Sequence, residues 1–208
     1  MDSSTETFTG KFVERIKYLE SLLERNNIPF EPADADLQKL IGNVINLQRT
    51  FEGSQLKRVL AERYSRQMFI PEVSTEGQEK LRNAKVLIVG AGGIGAPAAL
   101  YLAGAGVGKI GIIDADVVEE SNLHRQIIHS NAKLGFNKAR SARSAVLEFN
   151  PHVQVQVYEE WLSQENAQAV VQDYDLVLDA SDNAIARYLV NDICVLNKVI
   201  FIDWVEKN

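Results

Sequence analysis

Four apolar residues in a row, Val86-Leu87-Ile88-Val89, run straight into Gly90-Ala91-Gly92-Gly93-Ile94-Gly95, and an alanine-rich stretch follows. Few folds accommodate that order. A short apolar run bounded by glycines reads as a buried strand. The glycines allow a tight turn and a close backbone approach, and the helix start beyond them offers unpaired N–H groups to phosphate. The spacing predicts a helix over about 94–104, with Pro97 tolerated in its first turn and Gly106 and Gly108 beyond its end. A second apolar run ends in Asp114, 19 residues past Gly95, where a carboxylate can accept from ribose hydroxyls. The unit is a β–turn–α–β nucleotide site. By itself it does not separate a dinucleotide such as NAD from ATP.

The downstream pattern extends this unit. Residues 115–135 have few apolar repeats and read as a long functional loop. A helix is predicted over 137–149, stopped at Asn150-Pro151, then a strand over 153–158 and a helix over 163–172. A strand over 176–179, a turn at Ser181-Asp182-Asn183, a helix carrying Ala186, Leu189, Val190, Ile193 and Leu196, and a strand over 199–202 complete it. Alternation of this kind implies an α/β fold: a Rossmann-like, mostly parallel sheet with helices on both faces. Ligands bind such sheets at the carboxyl ends of the strands, and Gly90–Gly95, Asp114 and Asp182 all fall there.

Upstream, Phe8, Phe12, Ile16, Leu19 and Leu23 recur at helical spacing, and Leu37, Leu40, Ile41, Val44 and Leu47 form a second apolar face before Gly53-Ser54. Residues 1–60 therefore read as an N-terminal helical extension for docking or dimerisation. A short helix is predicted over 76–81, and Arg63 and Arg66, three apart, share one helical face.

Composition narrows the class. A net charge of -6 argues against a general nucleic-acid binder. The single cysteine, Cys194, cannot form an internal disulfide and lies among apolar helix residues, which predicts an inert packing role. No apolar run approaches a membrane span and no signal peptide is read at the polar N-terminus, so the cytosol is the expected compartment, with no membrane partner. The three histidines have no metal spacing; His124 is expected to shape the loop around Arg125, and His129 and His152 to be structural or superficial.

The residues after Asp114 favour ATP. Cleaving ATP at its α-phosphate calls for cations to offset the phosphates and the leaving pyrophosphate. Asn122-Leu123-His124-Arg125-Gln126 and Asn137-Lys138 supply them, and Asp182 is a candidate Mg²⁺ carboxylate. Each has a plain structural reading on its own: Arg125 as a surface ion pair, Lys138 as a solvated helix residue, Asp182 as a helix cap.

With Arg63-Tyr64-Ser65-Arg66-Gln67, the glycine turn, Ser121 to Gln126, Lys138 and Ser181-Asp182-Asn183 in this order, residues 61–203 resemble the E1-type activating enzymes. The likeness is to the branch that adenylates and thiolates small ubiquitin-like sulfur carriers. That resemblance implies ATP and Mg²⁺ as cofactors, a homodimer, and a ubiquitin-like sulfur carrier as partner, with no direct nucleic-acid contact. Residues 61–208 would be an adenylation domain cut short at its C-terminus. Gly90, Gly92, Gly93 and Gly95 would lie at the phosphates, Asp114 would hold the ribose with Asp116 nearby, and Asn122, Arg125 and Lys138 would contact the triphosphate. Gln126 would support Arg125, Asp182 would hold Mg²⁺, and Arg66 would reach into the neighbouring subunit's site. Arg125, Lys138 and Asp182 would carry the catalysis. The family's reaction joins the C-terminal glycine carboxylate of the carrier to AMP and serves thiolation of the tRNA wobble uridine and molybdopterin synthesis. The family's Cys-x-x-Cys pairs and transfer cysteines are absent, so no zinc is expected. The alternatives are a truncated, inactive nucleotide-binding or dimerising homologue and an NAD-dependent oxidoreductase. A sheet ending near residue 202 would leave an apolar edge exposed near Val199–Trp204.

Overall fold

A computed structural model of the protein describes residues 55–203. The two helices expected within residues 1–54 and the environment of Trp204 lie outside the described residues. The chain divides into two units, Met1–Glu79 and Lys80–Asn208. In the first, α1 (Gln55–Met68) begins just after Gly53-Ser54 and continues through residue 60; Tyr64 and Met68 are buried against Leu60 and Phe69. Helix α2 (Ser74–Asn83) extends past both ends of the expected 76–81 segment.

The second unit is built on five parallel strands: β1 (Lys85–Val89), β2 (Lys109–Ile113), β3 (Gln154–Tyr158), β4 (Leu176–Asp179) and β5 (Ile200–Asp203). Their order in the sheet is β3-β2-β1-β4-β5. This is a doubly wound order, in which the chain moves outward from β1 on one side and then restarts beside β1 on the other. The helices are α3 (Gly95–Ala105), α4 (Lys138–Phe149), α5 (Ala167–Val171) and α6 (Ala184–Asn197).

Strand alternation sorts the core into two layers. Val86, Ile88, Ile110 and Ile112 face Ala96, Ala99 and Ala103 of α3 and Ala139, Ala142 and Val146 of α4. Leu87, Val89, Ile113 and Val177 face Val170 and Val171 of α5 and Val190 and Cys194 of α6. Both faces of β1 are thus buried, which accounts for its unbroken apolar run. Gly108 is required where the chain re-enters the sheet, since a Cβ there would lie 1.7 Å from the Arg82 carbonyl oxygen.

Two local expectations change, and the long loop gains detail. The segment 163–172 is helical only over Ala167–Val171. Asn166 explains this: its Oδ1 accepts from Ser163 N (2.8 Å), while its Nδ2 donates to Glu160 Oε2 and Trp161 O, so the side chain organises a turn where helix was expected. On α6, Leu196 is 76% exposed and Cys194 takes the buried position, because the face through Ala186 and Val190 continues to 194 and leaves 196 far around the helix. The 115–137 loop contains two 3₁₀ turns, Glu120–Asn122 and Asn131–Lys133, and a bridge between Val117 and Asn137. At the sheet edge Ile200 and Ile202 are exposed, as expected of that end of the sheet. Among the described residues no helix is long and apolar enough to cross a membrane.

Candidate functional site

The glycine turn begins where β1 ends. Gly90 has φ +96°, and a Cβ there would lie 2.9 Å from Ala180 O, so the turn abuts the chain leaving β4. A Cβ on Gly95 would lie 1.9 Å from Gly90 O; only glycine lets α3 start this close to the strand. Gly92 and Gly93 differ. A Cβ on either would meet side chain alone, Gln126 Nε2 and the Arg125 chain respectively, each at 3.7 Å. The turn is therefore closed behind by backbone and bordered in front by Arg125 and Gln126.

Helix α3 has no side-chain cap at Ile94. Ala91 N donates to Asp114 Oδ2 (2.7 Å) and Ala96 N to Gly92 O (2.9 Å). Among the described residues no acceptor stands opposite the N–H groups of Gly92, Gly93, Ile94 and Gly95. Four adjacent donors at the positive end of a helix form an anion site.

The second component comes from β2 and α4. Asp114 is buried, and both its oxygens accept backbone hydrogen bonds, Oδ2 from Ala91 N and Oδ1 from Asp116 N (2.8 Å). Each oxygen keeps a further lone pair for another donor. Asn137 caps α4 by accepting from Arg140 N (3.0 Å) and ties it to β2 by donating to Asp114 O (2.8 Å) and Asp116 O (3.2 Å). Lys138, the first residue of α4, is buried along its stem, and its Nζ pairs with the half-exposed Asp116 at 2.7 Å.

Arg125 is exposed and held locally. Its Nη2 donates to Asn122 Oδ1 (3.1 Å), and its Nη1 lies 3.3 Å from His124 Nε2. Asn122 O accepts from both Arg125 N and Gln126 N, and Asn122 Nδ2 donates to Glu119 Oε2. The support expected from Gln126 thus comes from Asn122 and His124. Gln126 instead is buried beside Gly92, with an Oε1 that has no hydrogen-bond partner among the described residues.

At the end of β4, Asp182 is exposed, and the cap of α6 is its neighbour Asn183, which accepts from Ile185 N (2.9 Å). Asp182 is therefore free of the capping role its position suggests. Among the described residues no group of three or more acidic, histidine or cysteine side chains could hold a metal alone. One exposed carboxylate still suits Mg²⁺, which takes most of its shell from water and substrate phosphates. Asp179 is buried behind this turn: its Oδ1 accepts from Ser181 N, and its Oδ2 lies 3.9 Å from Arg187 Nε, which also reaches Asp203 at 3.1 Å.

Arg66 lies exposed in the last turn of α1, in the other unit. The other sequence-derived residues are distributed over the glycine turn, the 114–138 segment and the β4–α6 turn, and direct juxtapositions join Gly92 to Gln126, Gly93 to Arg125, Ala91 to Asp114, and Lys138 to Asp116. His129 was not among the candidate site residues. It is buried, with Nε2 3.0 Å from Ala91 O and Nδ1 2.9 Å from Ser141 Oγ, and burial holds its pKa below the ordinary value. The only sequence signal was a polar ring between Ile127-Ile128 and the next turn.

Comparison with known proteins places this arrangement. The chain is 40% identical over 203 residues to an adenylyltransferase and sulfurtransferase MOCS3 of Drosophila yakuba, spanning 94% of this chain and 45% of that protein. It is 55% identical over 136 residues to the adenylyltransferase and sulfurtransferase UBA4 of Candida albicans, covering 65% of this chain and 31% of the relative. The chain thus spans less than half the length of these relatives. Among solved structures, the Escherichia coli tRNA N6-threonylcarbamoyladenosine dehydratase TcdA in complex with ATP aligns with a TM-score of 0.64 at 27% identity, over 72% of this chain and 60% of that one. The sequence profile of the ThiF family matches residues 64–204, and the chain belongs to that family.

Proposed function

We propose that this chain carries the adenylation site of an ATP-dependent activating enzyme whose substrate is the C-terminal glycine of a ubiquitin-like sulfur carrier. The observation that carries the reading is the pairing of an open N–H array with cations. The Arg125 side chain lies across Gly93, where an added Cβ would meet its methylenes at 3.7 Å and its Nε at 3.9 Å, and Lys138 stands at the start of α4, paired with Asp116. A dinucleotide needs little cationic help, whereas a triphosphate cleaved at its α-phosphorus requires it.

In this reading the N–H groups of Gly92, Gly93 and Gly95 bind phosphate oxygens, and the turn at Gly90 holds them in place. Asp114 accepts from the ribose hydroxyls with its remaining lone pairs, and Asp116 stands beside it. Gln126 lies beneath the phosphates with an oxygen still unpaired. The carrier's glycine carboxylate attacks the α-phosphorus. A carboxylate–phosphorus bond forms, the bond to the bridging oxygen of pyrophosphate breaks, and the electron pair leaves with pyrophosphate. Arg125, oriented by Asn122 and His124, and Lys138, released from Asp116, neutralise the charge on the pentavalent phosphorus and the leaving group. Mg²⁺, held by Asp182 when bound, supplies further neutralisation of the phosphates. Arg66 would act in the neighbouring subunit of a homodimer. Thiolation of the tRNA wobble uridine and molybdopterin synthesis, in the cytosol, are the processes this activation serves.

ATP–pyrophosphate exchange driven by a ubiquitin-like sulfur carrier tests the proposal. Arg125→Ala and Lys138→Ala are each expected to lower exchange on the order of 10²-fold or more. ATP binding without exchange would reduce the site to a binding module. Wild-type exchange in Lys138→Ala would remove the site assignment.

A further inference from the structure

Ala91 is gripped on both sides. Its N–H donates to Asp114 Oδ2 at 2.7 Å, and its carbonyl lies 3.0 Å from His129 Nε2. A carbonyl only accepts, so Nε2 carries the ring proton, and in the neutral ring Nδ1 then accepts from the Ser141 hydroxyl at 2.9 Å. Ser141 belongs to α4, the helix that begins with Lys138. The ring and the hydroxyl-bearing residue are both buried.

The peptide joining Ala91 to Gly92 is planar and trans, so its C=O and N–H point in opposite directions. Drawing the Ala91 carbonyl inward onto the imidazole therefore turns the Gly92 N–H outward, to the side on which no acceptor stands among the described residues. Glycine at position 92 resists a peptide flip only weakly, because it tolerates nearly all backbone conformations. The direction of this donor is consequently set by the group that holds the carbonyl.

We infer that His129, braced by Ser141, is a positioning residue that aims the Gly92 N–H at the nucleotide phosphates and locks the glycine turn to the helix carrying Lys138. This deepens the adenylation reading and rests on it. Burial supports the geometry: it favours the neutral ring, the form that donates from Nε2 and accepts at Nδ1.

The experiment measures affinity for ATP and for adenosine by competition, alongside thermal unfolding, in the full chain. A misaimed phosphate donor costs phosphate affinity alone. His129→Ala is expected to weaken ATP by about tenfold while adenosine affinity stays unchanged. His129→Gln, whose amide N–H can reach the same carbonyl, recovers most of that loss. Ser141→Ala, which frees the ring without removing it, gives a smaller loss of the same kind. Should His129→Ala fail to fold, His129→Phe, a ring with no donor, replaces it against His129→Gln. Equal ATP affinity in the donor-bearing and donor-free variants, or equal losses for ATP and adenosine, overturns the inference. Lys138→Ala separates the two proposals. If it also leaves ATP affinity intact, the nucleotide site itself is misassigned; if it weakens ATP while His129→Ala does not, only the positioning role falls.

Discussion

Replacing Gly95 by alanine tests the most demanding contact of the fold. The added Cβ would lie 1.9 Å from Gly90 O and 3.0 Å from the carbonyl carbon of the same residue. Both are backbone atoms, so no rotamer change relieves the clash. The start of α3 must retreat by roughly 1 Å, which opens the packing of Ala96 and Ala99 on the sheet, and overpacking of this kind costs about 1–3 kcal/mol or more. The retreat also carries away the N–H groups at the head of the helix. Gly92→Ala provides the contrast. Its Cβ meets only Gln126 Nε2, at 3.7 Å, an ordinary contact, so stability should stay within about 1 kcal/mol of wild type. The methyl would nonetheless occupy the face of the turn assigned to phosphate. Urea unfolding and ATP titration on the two variants should therefore diverge: Gly95→Ala loses both stability and ATP affinity, and Gly92→Ala loses affinity alone. A Gly95→Ala protein as stable as wild type would refute the close-approach argument. A Gly92→Ala protein with unchanged ATP affinity would refute the placement of phosphate on that face.

Two further outcomes follow from single side chains. Asn137→Ala removes a helix cap and the ties to Asp114 O and Asp116 O, and should lower stability by about 2 kcal/mol in urea unfolding, with intact stability counting against the cap. Burial pushes the Cys194 thiol up to about 11, with Asp179 adding to the effect, so little thiolate forms near pH 8; iodoacetamide should label the native protein far more slowly than the urea-unfolded chain, and equal rates would contradict the buried assignment.

The parallel sheet and its ligand edge were legible because the signals were local: an apolar run too long for one buried face, a glycine triplet, and a carboxylate ending the next strand. Strand β4 was read residue for residue because Asp175 and Ala180-Ser181 bound it cleanly. The misreading of 163–172 has a side-chain cause. Periodicity sees Leu162, Val170 and Val171, but it does not see Asn166 folding back on Ser163, Glu160 and Trp161. Arg125 and Lys138 could be nominated from residue type and position, and His124 as a neighbour shaping the Arg125 loop, whereas the pairing of Asn122 with Arg125 and of Asp116 with Lys138 could not. Asp116 reaches Lys138 across 22 residues and His129 reaches Ala91 across 38, distances over which sequence spacing carries no geometric information. The strand order, likewise, is a property of long-range pairing alone.

The alanine face of α3 has one more consequence. Ala96, Ala99 and Ala103 are essentially inaccessible, and none has a side-chain rotamer. A helix packed through long side chains can settle by exchanging χ angles; here Leu100 and Leu102 flank the contact, but its three fully buried alanines cannot adjust in that way, so they hold its height above the sheet within narrow limits once the chain folds. The entropic cost of arranging the donors at its head is met before any ligand arrives. Adaptation to a bound molecule must then come from elsewhere, above all from the exposed, rotatable arm of Arg125. In the proposed adenylation site this makes a rigid floor beside an exposed arm tethered through Asn122 and His124, and selectivity among phosphates should depend on the floor while the rate of capture depends on the arm.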